Sequence, residues 1–336
     1  MAHRPRRKAP PAPLEQRAGI DPVRLRLPGD GTWPTIRDFL HDRYGPAVGR
    51  PRLDAMLADG RFVAQDGPVD AGTPYRAGGW VWFHRDLEPE RPVPFPVGIL
   101  YRDERIVVAD KPHFLATMPR GRHVAETALA RLRRDLGLPQ LSPAHRLDRL
   151  TAGLVLFVVR PQDRGAYQTL FRDRRVRKEY EAVAGYDPEV ALPRTVHSRI
   201  VKDRGVIAAH EEPGPPNAES RVELLAHRGG LGLYRLLPAT GRTHQLRVHM
   251  NALGLPLLDD PVYPRVLPEQ APEDEDFGRP LQLLARALEF TDPLDGGQMR
   301  FESARELAAW AAAPGQDGGS GEAPAGPAGS SDVAPA

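Results

Sequence analysis

Residues 143–154 read Pro143-Ala144-His145-Arg146-Leu147-Asp148-Arg149-Leu150-Thr151-Ala152-Gly153-Leu154. One carboxylate, Asp148, stands between two guanidinium groups, Arg146 and Arg149. A histidine lies three residues upstream, and an apolar strand-like run, Leu154 to Val159, follows directly. Guanidinium groups that close would hold a carboxylate in its charged form and would give a phosphate backbone a place to lie. That combination suits nucleophilic or base chemistry on a nucleic acid. A bare Arg-x-Asp triplet is more simply a salt bridge tying a loop to a domain, so the decision rests on the rest of the chain.

Three further blocks follow in order. They are Lys178-Glu179-Tyr180-Glu181-Ala182-Val183-Ala184-Gly185, then Thr240-Gly241-Arg242-Thr243-His244-Gln245-Leu246-Arg247-Val248-His249-Met250, then Gly254-Leu255-Pro256-Leu257-Leu258-Asp259-Asp260-Pro261-Val262-Tyr263. With the first run they resemble the RluA-type pseudouridine synthases, whose active-site signature usually reads His-Arg-Leu-Asp-Arg-x-Thr-Ser-Gly-Leu. The resemblance covers about residues 97–292, and four blocks in the family's order carry far more than one would.

Composition sets the bounds. The 336 residues are 40% hydrophobic and 27% charged, an ordinary globular balance with a formal net charge of +2. Basic residues bunch locally, as in Arg172-Asp173-Arg174-Arg175-Val176-Arg177-Lys178. The absence of cysteine removes disulfides, cysteine-ligated zinc and the zinc-dependent nucleobase deaminases, and it fits a cytoplasmic protein. No apolar stretch approaches the ~20 residues of a membrane span. The basic N-terminus has no apolar core behind it, so no secretory signal is expected.

Five segments are expected. Residues 1–24 read as a disordered basic arm and residues 313–336 as a disordered Gly/Ser/Pro/Ala tail. Residues 25–86 form a small α+β unit, with Ile36, Phe39 and Leu40 on one helix face and Leu53, Met56 and Leu57 on another. Arg61 to Ala64 and Trp80 to Phe83 read as its strands. This unit weakly resembles the alpha-L RNA-binding module, with Gly79-Trp80 where that module usually has Gly-Asp. A degenerate module kept for packing is the alternative. Residues 87–96 read as a Pro-rich linker.

Residues 97–312 are the expected catalytic domain. Ile99 to Tyr101 and Ile106 to Ala109 read as strands, and Lys111-Pro112 matches the family's Lys-Pro. Glu126 to Leu136 reads as a helix, and Gly229-Gly230 between two apolar runs as a β-hairpin. Strands outnumber helices without regular alternation, so the fold class expected is α+β around a mixed or antiparallel sheet.

Pseudouridine formation breaks the bond from uracil N1 to the ribose, turns the base and rejoins it through C5. No cofactor and no metal are consumed, and the uridine must be flipped from its stack at a few kcal/mol. By resemblance the catalytic residues are Asp148, Tyr180 and Arg247: Asp148 acts at the ribose, Tyr180 stacks on uracil, and Arg247 pairs with Asp148. A helix opening near Thr243 would put Leu246, Met250 and Leu253 on one face and His244, Arg247 and Asn251 on another. Alternation puts Lys178 and Tyr180 on one face of a strand. Arg146, which by resemblance fills the gap left by the flipped base, joins Arg149, Lys178, Arg242 and His244 as candidate RNA contacts. His244 and His249 lack a third ligand, so no metal site is expected.

The expected partner is ribosomal or transfer RNA, with no membrane, and the protein is expected to be a monomer. Three departures from the family pattern stand out. Ala152 replaces serine and Leu284 a histidine, removing polar groups expected near the pocket, and Asp259 replaces glycine. An inactive RNA-binding or ribosome-assembly protein is the alternative function, which a binding protein's lack of need for the Asp148, Tyr180 and Arg247 set argues against. A metal-dependent nuclease fails for want of clustered carboxylates.

Overall fold

The apolar run after Gly153 forms the strand Ala152–Val158, buried at every position. In the computed structural model, which describes residues 10–268 and 271–314, it lies in a sheet covered on both sides. Val155 and Phe157 pack with Leu129 and Leu132 of the helix Ala128–Leu136. Leu154, Leu156 and Val158 face the other way, onto Tyr167 and Leu170 of the helix Arg164–Arg172. Two covered faces leave no position for a polar side chain, so the strand reads as a continuous apolar run.

The sheet has ten strands. Its main path runs Arg194–Ser198, Ala218–Arg228, Leu231–Pro238, Arg177–Gly185, Leu283–Thr291, Ala152–Val158, Ile106–Lys111, Gly98–Arg102. Leu283–Thr291 and Ala152–Val158 pair in parallel, while the other neighbours on this path pair antiparallel. The architecture is thus α+β around a mixed sheet, as the pattern of runs implied. Gly153 makes the parallel pairing possible: its φ is +108°, and a Cβ there would lie 2.3 Å from the Ala285 carbonyl oxygen. The Gly229-Gly230 turn, with φ of 55° and 75°, closes the predicted hairpin. A third core cluster packs Leu246 and Met250 of the helix Gln245–Ala252 against Ala182, Ala184 and Leu236 of the sheet.

Upstream, the helices Ile36–Val48 and Arg50–Ala58 pack on a four-stranded sheet ordered Val23–Arg26, Trp80–Phe83, Val63–Ala64, Gly67–Pro68. Thr35 and Asp38 form a reciprocal capping box at the first helix. Ile36, Phe39, Leu40, Leu53, Met56 and Leu57 close over Val81 in the core they were expected to form.

Two segments differ from expectation. Residues 10–24 are not a free arm. Gln16 Nε2 donates to the Pro139 carbonyl at 2.7 Å, and Arg133 Nη1 donates to Gly19 O at 3.1 Å and to Asp21 at 2.9 Å. Polar contacts to the Ala128–Leu136 helix and its C-terminal turn, rather than an apolar pattern, hold this stretch, which is why periodicity missed it. The Pro-rich stretch is likewise docked. Glu90 accepts the backbone N–H groups of Val124, Ala125 and Glu126 at 2.8, 2.6 and 3.2 Å, and Val93 is buried in the core. Residues 1–9 and 315–336, where the rest of the arm and most of the tail fall, lie outside the described residues.

Candidate active site

Asp148 sits on the loop between the short strand Ser142–Pro143 and the strand Ala152–Val158, and that loop's backbone is pinned carbonyl by carbonyl. Thr117 Oγ1 donates to Leu147 O at 2.9 Å and accepts the Leu147 N–H at 3.1 Å. Asp148 O accepts the Thr151 N–H at 3.1 Å. Lys111 Nζ donates to Arg149 O at 3.3 Å, and also to Pro112 O and Leu115 O at 3.0 and 2.8 Å. His113 Nδ1 lies 2.7 Å from Leu150 O.

Burial pushes Lys111 well below the usual lysine pKa, opposed by the Asp148 charge, yet its three carbonyl partners match the three protons of an ammonium. Burial lowers His113 to about 4, so its ring is neutral and Nδ1 carries the donated proton. A loop held this way presents its carboxylate in one geometry.

That carboxylate opens on a cleft of about 220 Å³ whose wall includes Tyr180, Lys178, Thr240, Arg242, His244 and Arg247. Strand alternation brings Lys178 and Tyr180 to the same wall, as expected, while Glu181 on the opposite face pairs with Arg286. Burial, and then the Asp148 charge, push the Tyr180 hydroxyl well above the usual phenol range, so it remains protonated. Lys178 Nζ donates to Thr240 O at 2.9 Å, and burial lowers it to about 8.

The electrostatic partners of Asp148 differ from those the sequence suggested. Arg247 is 3% exposed and donates Nε and Nη2 to Asp260, at 2.8 and 2.6 Å, in a forked pair with a carboxylate that is itself 0% exposed. Asp260 also accepts the N–H groups of Val262 and Tyr263 at 2.8 and 3.1 Å. Arg247 therefore makes no ion pair with Asp148. Its helix is buried from Gln245 to Met250, so the guanidinium is held in the cleft wall by Asp260 rather than free to reach across it.

Arg149 is also committed elsewhere, to Glu275 in a bidentate pair and to Phe114 O at 3.1 Å. Among the described residues, the ionisable side chain within ion-pair reach of Asp148 is His244, with Nε2 at 3.8 Å. Its Nδ1 is 3.1 Å from the Tyr263 hydroxyl, which both donates to and accepts from the Ala209 backbone at 2.8 Å. Burial, then Arg247, lower His244 to about 4, so it faces Asp148 as a neutral ring.

Arg146 is exposed and lines the cleft, as does Arg120 on the tight turn closed by the Arg120 and His123 backbones. Arg242 stands at the exposed rim, donating Nε to Asn217 O at 3.1 Å. The upstream histidine, His145, is structural. Its Nε2 accepts the Leu156 N–H at 3.1 Å, its ring stacks on Phe171, and burial lowers it to about 3.

The two apolar departures do not reach the cleft. Ala152 and Leu284 are paired across the parallel strands, both 0% exposed, and pack with Val183 and Leu307 on the sheet's other face. Asp259 stands at φ 57°, a left-handed position that favours glycine and tolerates aspartate, and its Oδ1 accepts from Arg279.

Sequence reasoning did not single out Thr117, His113, Arg120 or Asp260 as site residues. Thr117, His113 and Arg120 lie outside the four blocks, and Asp260 lies within the fourth without a spacing that names its partner. Among the described residues no cluster of three or more His, Asp or Glu side chains could hold a metal ion. No described helix is long and apolar enough to cross a membrane.

Residues 105–252, from the strand Ile106–Lys111 through the helix Gln245–Ala252, match the family model described as RNA pseudouridylate synthase. The chain is similar to the dual-specificity RNA pseudouridine synthase RluA of Salmonella typhi, 34% identical over 211 residues that cover 61% of this chain and 91% of that one. It is also similar to the mitochondrial tRNA pseudouridine(32) synthase of Saccharomyces cerevisiae, 30% identical over 212 residues. That match covers 62% of this chain but 46% of the yeast protein, so the chain spans under half of that relative's length. Among solved structures, a human protein titled RNA pseudouridylate synthase domain containing 1 superposes with a TM-score of 0.51 at 26% identity, over 64% of this chain and 86% of that one.

Proposed function

Since the chain belongs to the RluA-type RNA pseudouridine synthase family, we propose that it is an isomerase converting uridine to pseudouridine in a folded ribosomal or transfer RNA. The observation that carries this reading is the placement of Asp148 and the protonated Tyr180 on one cleft, with the Asp148 loop pinned at four successive carbonyls.

In this reading the target uridine is flipped into the cleft. Arg146, exposed and without a protein partner among the described residues, occupies the space the base leaves and stacks through its guanidinium plane. The Tyr180 ring takes the uracil face. Asp148 acts at the sugar as the bond from C1′ to N1 breaks, and the freed base turns and bonds to C1′ through C5. The C5 proton leaves in that step and N1 gains one, so the reaction is redox-neutral and consumes no co-reactant. The hydroxyl of Tyr180, adjacent to the Asp148 charge, is placed to hand a proton to or from the ribose.

Arg247 acts here as a positioning residue: through Asp260 it fixes the 260–263 loop, and through that loop Tyr263 and His244 beside Asp148. The transfer RNA part of this proposal draws on a relative whose name gives a tRNA, and another relative is named for dual specificity. Lys178, Arg242 and Arg120 would meet its backbone.

The test is Asp148→Asn. The variant is expected to bind RNA with near-unchanged affinity and to form no pseudouridine, read by mapping modified positions in ribosomal and transfer RNA from cells with and without each protein. Turnover by the Asn variant, with deamidation excluded by mass spectrometry, would refute the assignment.

A further inference from the structure

The outer face of the N-terminal sheet carries an aromatic and cationic patch that nothing in the proposed reaction uses. Arg24 and Arg26 alternate along the strand Val23–Arg26, so both point away from the core that Leu25 enters. They pair in register with Trp82 and Trp80 of the neighbouring strand. Both guanidinium groups lie over the Trp80 ring, at 5.4 and 5.9 Å from its centroid, and Trp80 and Trp82 are tilted neighbours 6.5 Å apart. Trp82 is 1% exposed, whereas Trp80 is only half-buried and both arginines are exposed.

Neither Arg24 nor Arg26 has an acidic partner within ion-pair distance among the described residues. The helical side of the same unit differs. Arg37 is spent on Asp54, and Arg52 and Arg61 on Asp86. Among the described residues no ring lies under the guanidinium of Arg43 or Arg50, and Tyr44 packs edge-on against Phe39.

We propose that this sheet face, rather than the helices, is a docking platform for a single-stranded segment of the RNA substrate, with a base stacked at Trp80 and its phosphates between Arg24 and Arg26. The occupant follows from the chemistry of the patch. Two cations without carboxylates attract a polyanion, and a tryptophan face accepts any base without reading sequence. A duplex would bury its bases away from Trp80 and leave the ring unused.

The proposal rests on the RNA substrate argued above, and the experiment separates the two. Full-length protein is titrated with a hairpin RNA carrying a single-stranded extension of about six nucleotides, within the site size of such platforms, and with the same hairpin lacking it. Arg24→Gln with Arg26→Gln removes exposed charges without touching the core. It is expected to lose most of the preference for the extended hairpin and to flatten its log-log salt slope by about 1.4, roughly 0.7 for each lost contact.

Trp80→Ala is expected to weaken the extended hairpin about tenfold, within the range that base–aromatic stacking gives, and to leave the blunt hairpin unchanged. Unchanged preference in the folded double variant would overturn the proposal. So would an equal loss on both hairpins, which would put a duplex on this face. Pseudouridine formation by the unaltered protein, scored in parallel, reports on the catalytic assignment alone.

Discussion

Arg247 donates Nε and Nη2 to the carboxylate of Asp260 in a pair closed to water, at 3% and 0% side-chain exposure. The same carboxylate holds two backbone N–H groups of the following loop. Removing one partner of such a pair strands the other in a low-dielectric interior, which costs about 3–5 kcal/mol. Asp260→Asn should therefore lower the stability sharply. Asp148→Asn, whose carboxylate forms no arginine pair, should shift stability by less than about 1 kcal/mol. Urea denaturation of the two variants decides the matter. Equal destabilisation would mean that Arg247 serves Asp148 instead.

Tyr180→Phe keeps the ring and removes the hydroxyl. The expected outcome is a large loss of turnover, on the order of 100-fold as for other lost proton-transfer groups, with RNA affinity within about twofold. Single-turnover rates at saturating enzyme, set beside binding curves, separate the two effects. An unchanged rate would leave the ring as a stacking surface alone.

How far the sequence foretold this site depended on whether the deciding contact was local. The strand after Gly153, the hairpin at Gly229-Gly230 and the shared wall of Lys178 and Tyr180 all follow from short-range periodicity and turn chemistry, and all three formed. The partner of each arginine did not follow. Asp148, flanked by Arg146 and Arg149 in sequence, is approached in space by His244, because the loop turns Arg149 toward Glu275. The expected polar face of His244, Arg247 and Asn251 did not form, because the helix begins at Gln245 with His244 as its left-handed N-cap and Arg247 buried. No spacing rule could say that Asp260 lay opposite Arg247. The loop pins were equally hidden. Thr117 and His113 reach Leu147 and Leu150 between two loops at one end of adjacent antiparallel strands, a juxtaposition that no spacing rule encodes.

Acid should destabilise the fold through its neutral histidines. Burial lowers His113, His244 and His249 from the usual 6.5 to about 4, and His145 to about 3. The unfolded chain takes up protons near pH 6.5 that the folded one refuses. Stability contributed by these groups is thus complete above about 6.5 and falls as pH drops toward 4. His249, 0% exposed and bonded to Ser198 through Nε2, accounts for up to about 3 kcal/mol of this. Melting temperatures measured from pH 7.5 to 4.5 should fall steeply for the unaltered protein and less steeply for His249→Gln. Parallel slopes would place the acid sensitivity elsewhere.

The last prediction concerns the loop itself. Thr117 Oγ1 bonds both the N–H and the carbonyl of Leu147, one residue before the reactive carboxylate, and Thr117 is 3% exposed. Thr117→Val preserves shape and β-branching while stranding two buried backbone groups, at a cost of about 1–3 kcal/mol. If the pinning serves only the fold, that stability loss should be the whole effect, and turnover at a temperature well below melting should be unaltered. If it holds Asp148 in reacting geometry, turnover should fall about tenfold or more at unchanged RNA affinity, because a small misplacement of a reacting group can cost as much as ~100-fold. Thr117→Ser, which restores the hydroxyl but not the methyl, should recover the rate. Failure of serine to rescue would show that packing, not the paired hydrogen bonds, sets the carboxylate's position.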